Sequence, residues 1–198
     1  MSPTRQAERS EATRAKLIGA ARELFGRRGY SAVGTEQVVK RARVTRGALY
    51  HHFEDKRDLF RAVYEQVETE ITEQIGAELI ARAADDPVAA LIEGMETVLD
   101  LSLDPELRQI TLVDAPAVLG WSEWRRLGDQ YALGLAVAAL ETAMEAGELR
   151  RQPTRPLAHV LLAAMSEAAL MIANSDDVRA TRSEAERALR SIVEGLRA

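Results

Sequence analysis

The chain contains no cysteine among its 198 residues. Disulfides, thiolate zinc sites and cysteine nucleophiles are therefore excluded, and a reducing cytoplasm is the expected compartment. No apolar run approaches about 18 residues without a charge, and the opening MSPTRQAERS lacks the hydrophobic segment of a secretory signal. Neither secretion nor a membrane span is expected. Aromatics make up only 5% of the residues, whereas Ala, Leu, Glu and Arg dominate, which favours an all-α fold. Enzyme signatures are also missing: no GxSxG, phosphate-binding Walker loop, GxGxxG or HExxH occurs. With 31 carboxylates, chance acidic pairs are certain and carry no weight, so no catalytic residue is assigned.

What the chain does contain is an uneven distribution of charge. Residues 1–60 hold 13 Lys/Arg against 7 Asp/Glu, a net +6, and the remainder holds 13 against 24, a net −11. A basic head on an acidic body is suited to phosphate, because Lys and Arg displace counterions from a duplex while the acidic part is repelled from it.

The head is organised around Thr35 to Lys56, TEQVVKRARVTRGALYHHFEDK. Thr35 is the expected N-cap of a short helix with Val38 and Val39 inside, and Thr45 that of a second with Ala48, Leu49 and Tyr50. Two short helices joined by a turn form a helix-turn-helix, and Arg46, Tyr50, His51 and His52 are side chains able to reach base edges or phosphates from a major groove. Adjacent helical residues point about 100° apart, so His51 and His52 do not make a metal site, and no cysteine completes one.

The ordered set Ala42, Val44, Thr45, Arg46, Gly47, Leu49, Tyr50, His52, Phe53, Lys56 and Leu59 resembles the signature of the tetracycline-repressor (TetR) family of bacterial regulators. The match spans roughly residues 10 to 60. By this resemblance Thr35, Thr45, Tyr50, His52 and Lys56 hold phosphates, while Arg46, Gly47, Ala48 and His51 face bases. Leu49 and Phe53 are expected in the core. Arg43 stands where the family usually has Gly, and a left-handed backbone there costs a non-Gly residue roughly 1 to 2 kcal/mol. Arg43 either gains a phosphate contact beside the recognition helix or is simply tolerated.

Before the head, residues 1–9 lack periodicity and read as an arm, with Arg5 and Arg9 facing a minor groove or phosphate, or as a solubilising tail. Leu17, Ile18, Ala21, Leu24 and Phe25 mark a helix that Gly29 ends. Asp55 and Asp58 resemble a capping box opening a long helix to Arg82, and Pro87 suits the first turn of the next. Asp104 and Pro105 start a short helix that Pro116 interrupts, with APAVLGW as an irregular joint before a long helix closed by Gly147. Pro156 to Asn174 is apolar on nearly all sides, and Ser183 with Glu186 is a capping-box pattern for the last helix. The expected domains are 1–54, a helix-turn-helix domain with its arm, and 55–198, a helical effector-binding and dimerisation domain. The resemblance implies a homodimer through the last two helices.

It also implies a small-molecule effector. Met95, Leu99, Val113, Trp121, Trp124, Tyr131, Met165 and Met171 are candidate walls of an apolar pocket with Asp114 as polar anchor, each also explicable as ordinary core. The resulting expectation is a ligand-responsive repressor of a pseudo-palindromic DNA operator, with no cofactor. Two alternatives are a dimeric DNA-binding protein without an effector and a helical protein-interaction scaffold.

Overall fold

The structure is a computed structural model that describes residues 3–83 and 85–198, with side chains from residue 6 onward. The chain is all-α as expected. Its helices are α1 (Pro3–Arg28), α2 (Thr35–Ala42), α3 (Arg46–His52), α4 (Lys56–Arg82), α5 (Pro87–Leu101), α6 (Pro105–Arg108), α7 (Ala115–Leu119), α8 (Trp121–Glu145), α9 (Thr154–Ala173) and α10 (Val178–Glu194). Between α6 and α7 the backbone widens into a π-helical segment, Gln109–Asp114. Among the described residues, extended pairing is confined to an isolated antiparallel bridge between Leu149 and Arg197.

Most helix boundaries follow local chemistry. The Thr45 hydroxyl accepts from the Ala48 N–H at 3.2 Å and opens α3. Asp55 accepts from the Asp58 N–H at 2.7 Å, while Asp58 reaches back to the Glu54 N–H at 3.1 Å. That is a capping box whose shorter acid bonds one residue further upstream. Asp86 caps α5 through the Ala89 N–H at 2.7 Å, with Pro87 in the first turn.

Four sequence expectations about these helices need correction. Gly34, not Thr35, is the N-cap of α2, and Thr35 is its first residue. Residues 3–9 continue α1 rather than forming an arm; a stretch polar on every side can extend a helix into solvent without showing periodicity. The Arg5 side chain lies outside the described residues. Pro116 does not interrupt its helix, because it sits in the first turn of α7, where the missing N–H costs nothing. The breaks are the π segment before it and Gly120, at φ 85°. The last helix opens at Asp177, which accepts from the Ala180 N–H at 3.0 Å, so Ser183 and Glu186 lie inside α10.

Two compact units result, and they do not follow a boundary at residue 54. The first comprises residues up to Val67 together with Pro105–Trp121; the second comprises Glu68–Asp104 and Ser122–Ala198. In the first, Leu17, Phe25, Val38, Leu49, Phe53, Leu59, Phe60, Val63, Ile110, Ala115 and Leu119 are buried. In the second, Leu91, Met95 and Leu99 of α5, Leu140 and Met144 of α8, Leu161 and Ile172 of α9 and Leu189 of α10 form one apolar cluster. Arg182 ties α10 to Asp100 of α5 at 2.8 Å.

The α9 helix is long and apolar enough, by length and composition, to cross a membrane, and 28% of its most apolar window is buried. Within residues 156–173 Glu167 is the one Asp, Glu, Lys or Arg, and His159 and Ser166 are the other polar residues. Val160 and Met171 on α9 are 63% and 54% exposed and Ile192 on α10 is 45% exposed, an apolar surface left open on the second unit.

Candidate nucleic-acid interface

The helix-turn-helix is held from below by Val38 of α2 and Leu49 of α3, both fully buried, with Phe53 beneath the end of α3. Burying these apolar side chains fixes which face of each short helix points outward. That outward face carries Arg46, Gly47, Tyr50 and His51, all exposed, with Thr35, Ala48 and His52 half-buried. Arg43 and Thr45 lie exposed at the turn. Nine of the ten residues read from sequence as DNA-binding are thus brought together on α2, α3 and the turn between them.

Contacts within this face order it. The Arg46 guanidinium lies 5.6 Å from the Tyr50 ring centroid and 3.9 Å from a carboxylate oxygen of Glu36. A hydrogen bond from Thr35, then one from Arg46, lowers the Tyr50 phenol below its ordinary pKa. Thr35 is the first residue of α2 and not its cap. The His51 and His52 rings meet edge to face, 5.1 Å apart.

The turn closes through a left-handed residue. Arg43 has φ 56° and ψ 44°, the positive φ found among the described non-glycine residues. Its N–H donates to the Lys40 carbonyl at 3.3 Å and the Val44 N–H donates to the Val39 carbonyl at 3.1 Å. This pair of bonds is a Schellman closure, which usually places glycine where Arg43 stands.

Lys56 is the tenth residue, and the structure places it differently. It is half-buried at the start of α4, its ammonium 3.9 Å from the centroid of the Tyr30 ring. Burial pushes its pKa down, and the negative charge of Asp114 opposes that shift. Tyr30 packs in turn against Phe25 at 5.5 Å and Phe60 at 5.2 Å.

Beneath this cluster lies a part of the head that sequence reasoning missed. The Tyr30 N–H donates to Asp114 Oδ2 at 2.8 Å, and Arg22 donates to Glu106 at 2.7 Å. A Cβ on Gly26 would meet Glu106 Cγ at 2.4 Å, and one on Gly29 would meet Gln109 Nε2 at 3.2 Å. Glycine at these two positions thus admits the 105–114 stretch against α1 and its turn. Arg57 donates to the carbonyls of Val118 and Leu119 at 3.2 and 3.1 Å, closing the end of α7. None of these pairings is local in sequence; only the two glycines near the end of α1 hinted at a close approach.

The nine residues read as a ligand pocket are divided between the two units. Val113, Asp114 and Trp121 belong to the first unit, where Asp114 is engaged with Tyr30 and Val113 and Trp121 are 47% and 58% exposed. Met95, Leu99 and Met165 pack in the apolar cluster of the second unit. Trp124 of that unit is buried, Tyr131 half-buried and Met171 exposed. No group of three or more His, Asp or Glu able to hold a metal occurs among the described residues.

Comparison with known proteins agrees with this geometry. Residues 17–63 match the model of the tetR family of bacterial regulatory proteins, and residues 88–196 match that of a tetracyclin repressor-like C-terminal domain. A TetR-family transcriptional regulator from Pectobacterium atrosepticum is 30% identical with a TM-score of 0.87, over 100% of this chain and 98% of that one. The transposon Tn10 TetC protein of Escherichia coli is 28% identical over 156 residues, 79% of this chain and 78% of its own. RolR, solved in complex with resorcinol, shares the fold, with 21% identity and a TM-score of 0.72 over 94% of this chain and 95% of that one. With a helix-turn-helix head, a helical body and both family models matched in chain order, this chain belongs to the TetR family of transcriptional regulators.

Proposed function

We propose that the protein is a homodimeric, ligand-responsive repressor, acting in the cytoplasm, that occupies a pseudo-palindromic operator and is released by a small hydrophobic molecule. The observation that carries the DNA-binding part is the outward face of α2 and α3, where Arg46 and Tyr50 stand exposed against each other beside half-buried Thr35, above the buried Val38 and Leu49. On this reading Thr35, Arg43, Thr45, Tyr50, His52 and Lys56 hold phosphates, and Arg46, Gly47, Ala48 and His51 face bases. A bidentate Arg46 contact to guanine is worth about 1 to 3 kcal/mol of discrimination.

The open apolar surface at Val160, Met171 and Ile192 supports pairing of α9 and α10 with a second copy. Twofold pairing sets two heads on half-sites about one helical turn, roughly 34 to 36 Å, or a multiple apart. Effector binding is supported by family membership and by RolR, a protein of this fold solved with resorcinol. A second reading, a dimeric DNA-binding protein without effector, is favoured by the close packing of Met95, Leu99 and Met165 in the second unit's core.

The test is binding to DNA from upstream of the protein's own gene, titrated with salt and then with candidate effectors. A selective complex whose log affinity falls by about 0.9 per log unit of salt for each phosphate contacted is expected, with release by an apolar molecule. Selective binding that no such molecule weakens would favour the second reading, and absence of any selective complex would reject both.

A further inference from the structure

Glu36 places a carboxylate on a face that also carries Thr35, Arg43, Thr45, Arg46 and Tyr50. It is the second residue of α2, its side chain is 83% exposed, and its Oε1 lies 3.9 Å from Nη1 of Arg46, itself 67% exposed. Arg46 is the first residue of α3 and stands against the Tyr50 ring, and Thr35 precedes Glu36 on α2. Glu36, Arg46 and Tyr50 thus form one contiguous exposed set, with half-buried Thr35 beside it.

A first-turn carboxylate is favoured by the helix dipole, so Glu36 has an ordinary role in α2. At this location it also carries a cost. When the face approaches DNA, the carboxylate comes within a Debye length of the phosphates and is repelled. In the major groove it meets mostly acceptors: guanine N7 and O6, adenine N7 and thymine O4. The cytosine amino group is a donor that a glutamate can accept from without facing an acceptor on the same base. Glu36 therefore penalises DNA in general, and the penalty is relieved where cytosine is presented.

The contact between the two side chains limits where that cytosine lies. Glu36 and Arg46 approach within 3.9 Å, so they are placed to reach the same or neighbouring base pairs, which succeed one another about 3.4 Å apart. We infer that Glu36 is a specificity-determining residue of the head, accepting a hydrogen bond from cytosine N4 in the base pair next to the guanine read by Arg46. The inference rests on the proposal that α3 reads base edges.

The experiment is selection from randomised duplexes by the full-length protein, carried out in parallel for wild type, Glu36→Ala and Glu36→Gln. Affinity for one non-specific duplex is measured at the same salt. Wild type is expected to select a guanine with cytosine favoured in the neighbouring pair by about 5- to 150-fold. Glu36→Ala flattens the preference at that one position and raises non-specific affinity several-fold. Glu36→Gln moves the preference to adenine, whose N6 and N7 suit a carboxamide. Thermal melts establish that both variants are folded, and a dipole role alone would not change base preference at a single position. A wild-type consensus retained unchanged by both variants overturns the inference while leaving the DNA-reading head intact. A wild type that selects nothing overturns the head's proposed role and this inference with it.

Discussion

Arg43→Gly separates what the turn needs to fold from what it needs to bind. In the native turn Arg43 is held at φ 56° and ψ 44° by the two backbone hydrogen bonds that close α2. A left-handed conformation costs an L-residue about 1 to 2 kcal/mol. Glycine removes that strain but gives the unfolded chain extra freedom worth roughly 0.5 to 1 kcal/mol. The difference is a net stabilisation of between about 0 and 1.5 kcal/mol, or up to about 6 °C in melting temperature for a chain of this size. Neither backbone bond depends on the side chain, so the turn keeps its shape. If Arg43 holds a phosphate, the same substitution lowers the slope of log affinity against log salt by about 0.9 per head. Thermal denaturation and salt-titrated fluorescence anisotropy with a selected operator measure the two effects. Arg43→Asn, which tolerates the left-handed region and lacks the charge, should follow glycine in the slope and retain part of the stabilisation. An unchanged slope in both variants would refute the phosphate contact. A melting temperature that falls on Arg43→Gly would refute the strain argument.

Other expectations concern the seating of the 105–114 stretch and the chemistry of the DNA-facing surface. Gly26→Ala should destabilise the protein by about 1 to 3 kcal/mol through overpacking, because the new methyl meets the Cγ of Glu106 at 2.4 Å; in urea denaturation, adding Glu106→Ala should recover part of that loss. Asp114→Ala leaves the Tyr30 N–H without its acceptor, at a cost of about 1 to 3 kcal/mol, and should accelerate hydrogen exchange at the Tyr30 amide, with Asp114→Asn milder because its carbonyl still accepts. In an ultraviolet pH titration Tyr50 should ionise before Tyr30, since hydrogen bonds from Thr35 and Arg46 lower the one while burial raises the other. Stability from Tyr50 ionisation appears as pH rises through its lowered folded-state value, yet the phenolate formed would repel phosphate. DNA affinity should therefore fall over that interval, and Tyr50→Phe should abolish this limb of the pH profile.

The elements legible in the sequence were those fixed by residues a few positions apart. Thr45 with Ala48, Asp55 with Asp58, and Asp86 with Ala89 are contacts within one turn, so they can be read directly from spacing. Ser183 and Glu186 have the same spacing, but so do residues anywhere inside a helix; which serine caps depends on a backbone dihedral, and Asp177 holds that place. The π segment has no sequence mark here, and Pro116 drew attention two residues beyond the end of it. Arg46, Tyr50 and their neighbours could be recognised as one face because they lie on one helix. The Tyr30–Asp114 and Arg22–Glu106 contacts each join residues 84 positions apart, so no local pattern could announce them. Glu36 was passed over because an acid in the first turn of a helix is commonplace; its significance comes from Arg46 across the turn.

The first unit is assembled from two separate lengths of chain, with 105–121 supplying Ile110, Ala115 and Leu119 to the same interior as Phe25 and Phe60. It follows that the head is not a cassette that can be excised at the end of the helix-turn-helix. A fragment stopping at residue 67 would uncover the apolar surfaces those three residues occupy, leave the Tyr30 amide without the Asp114 acceptor and remove Glu106 from Arg22. Chimaeric regulators built by exchanging only the first third of such chains would inherit a mismatched seam under the reading head. Transplanting this DNA preference to another body therefore calls for moving the 105–121 stretch with it, or redesigning Gly26 and Gly29 to suit the host's own filler.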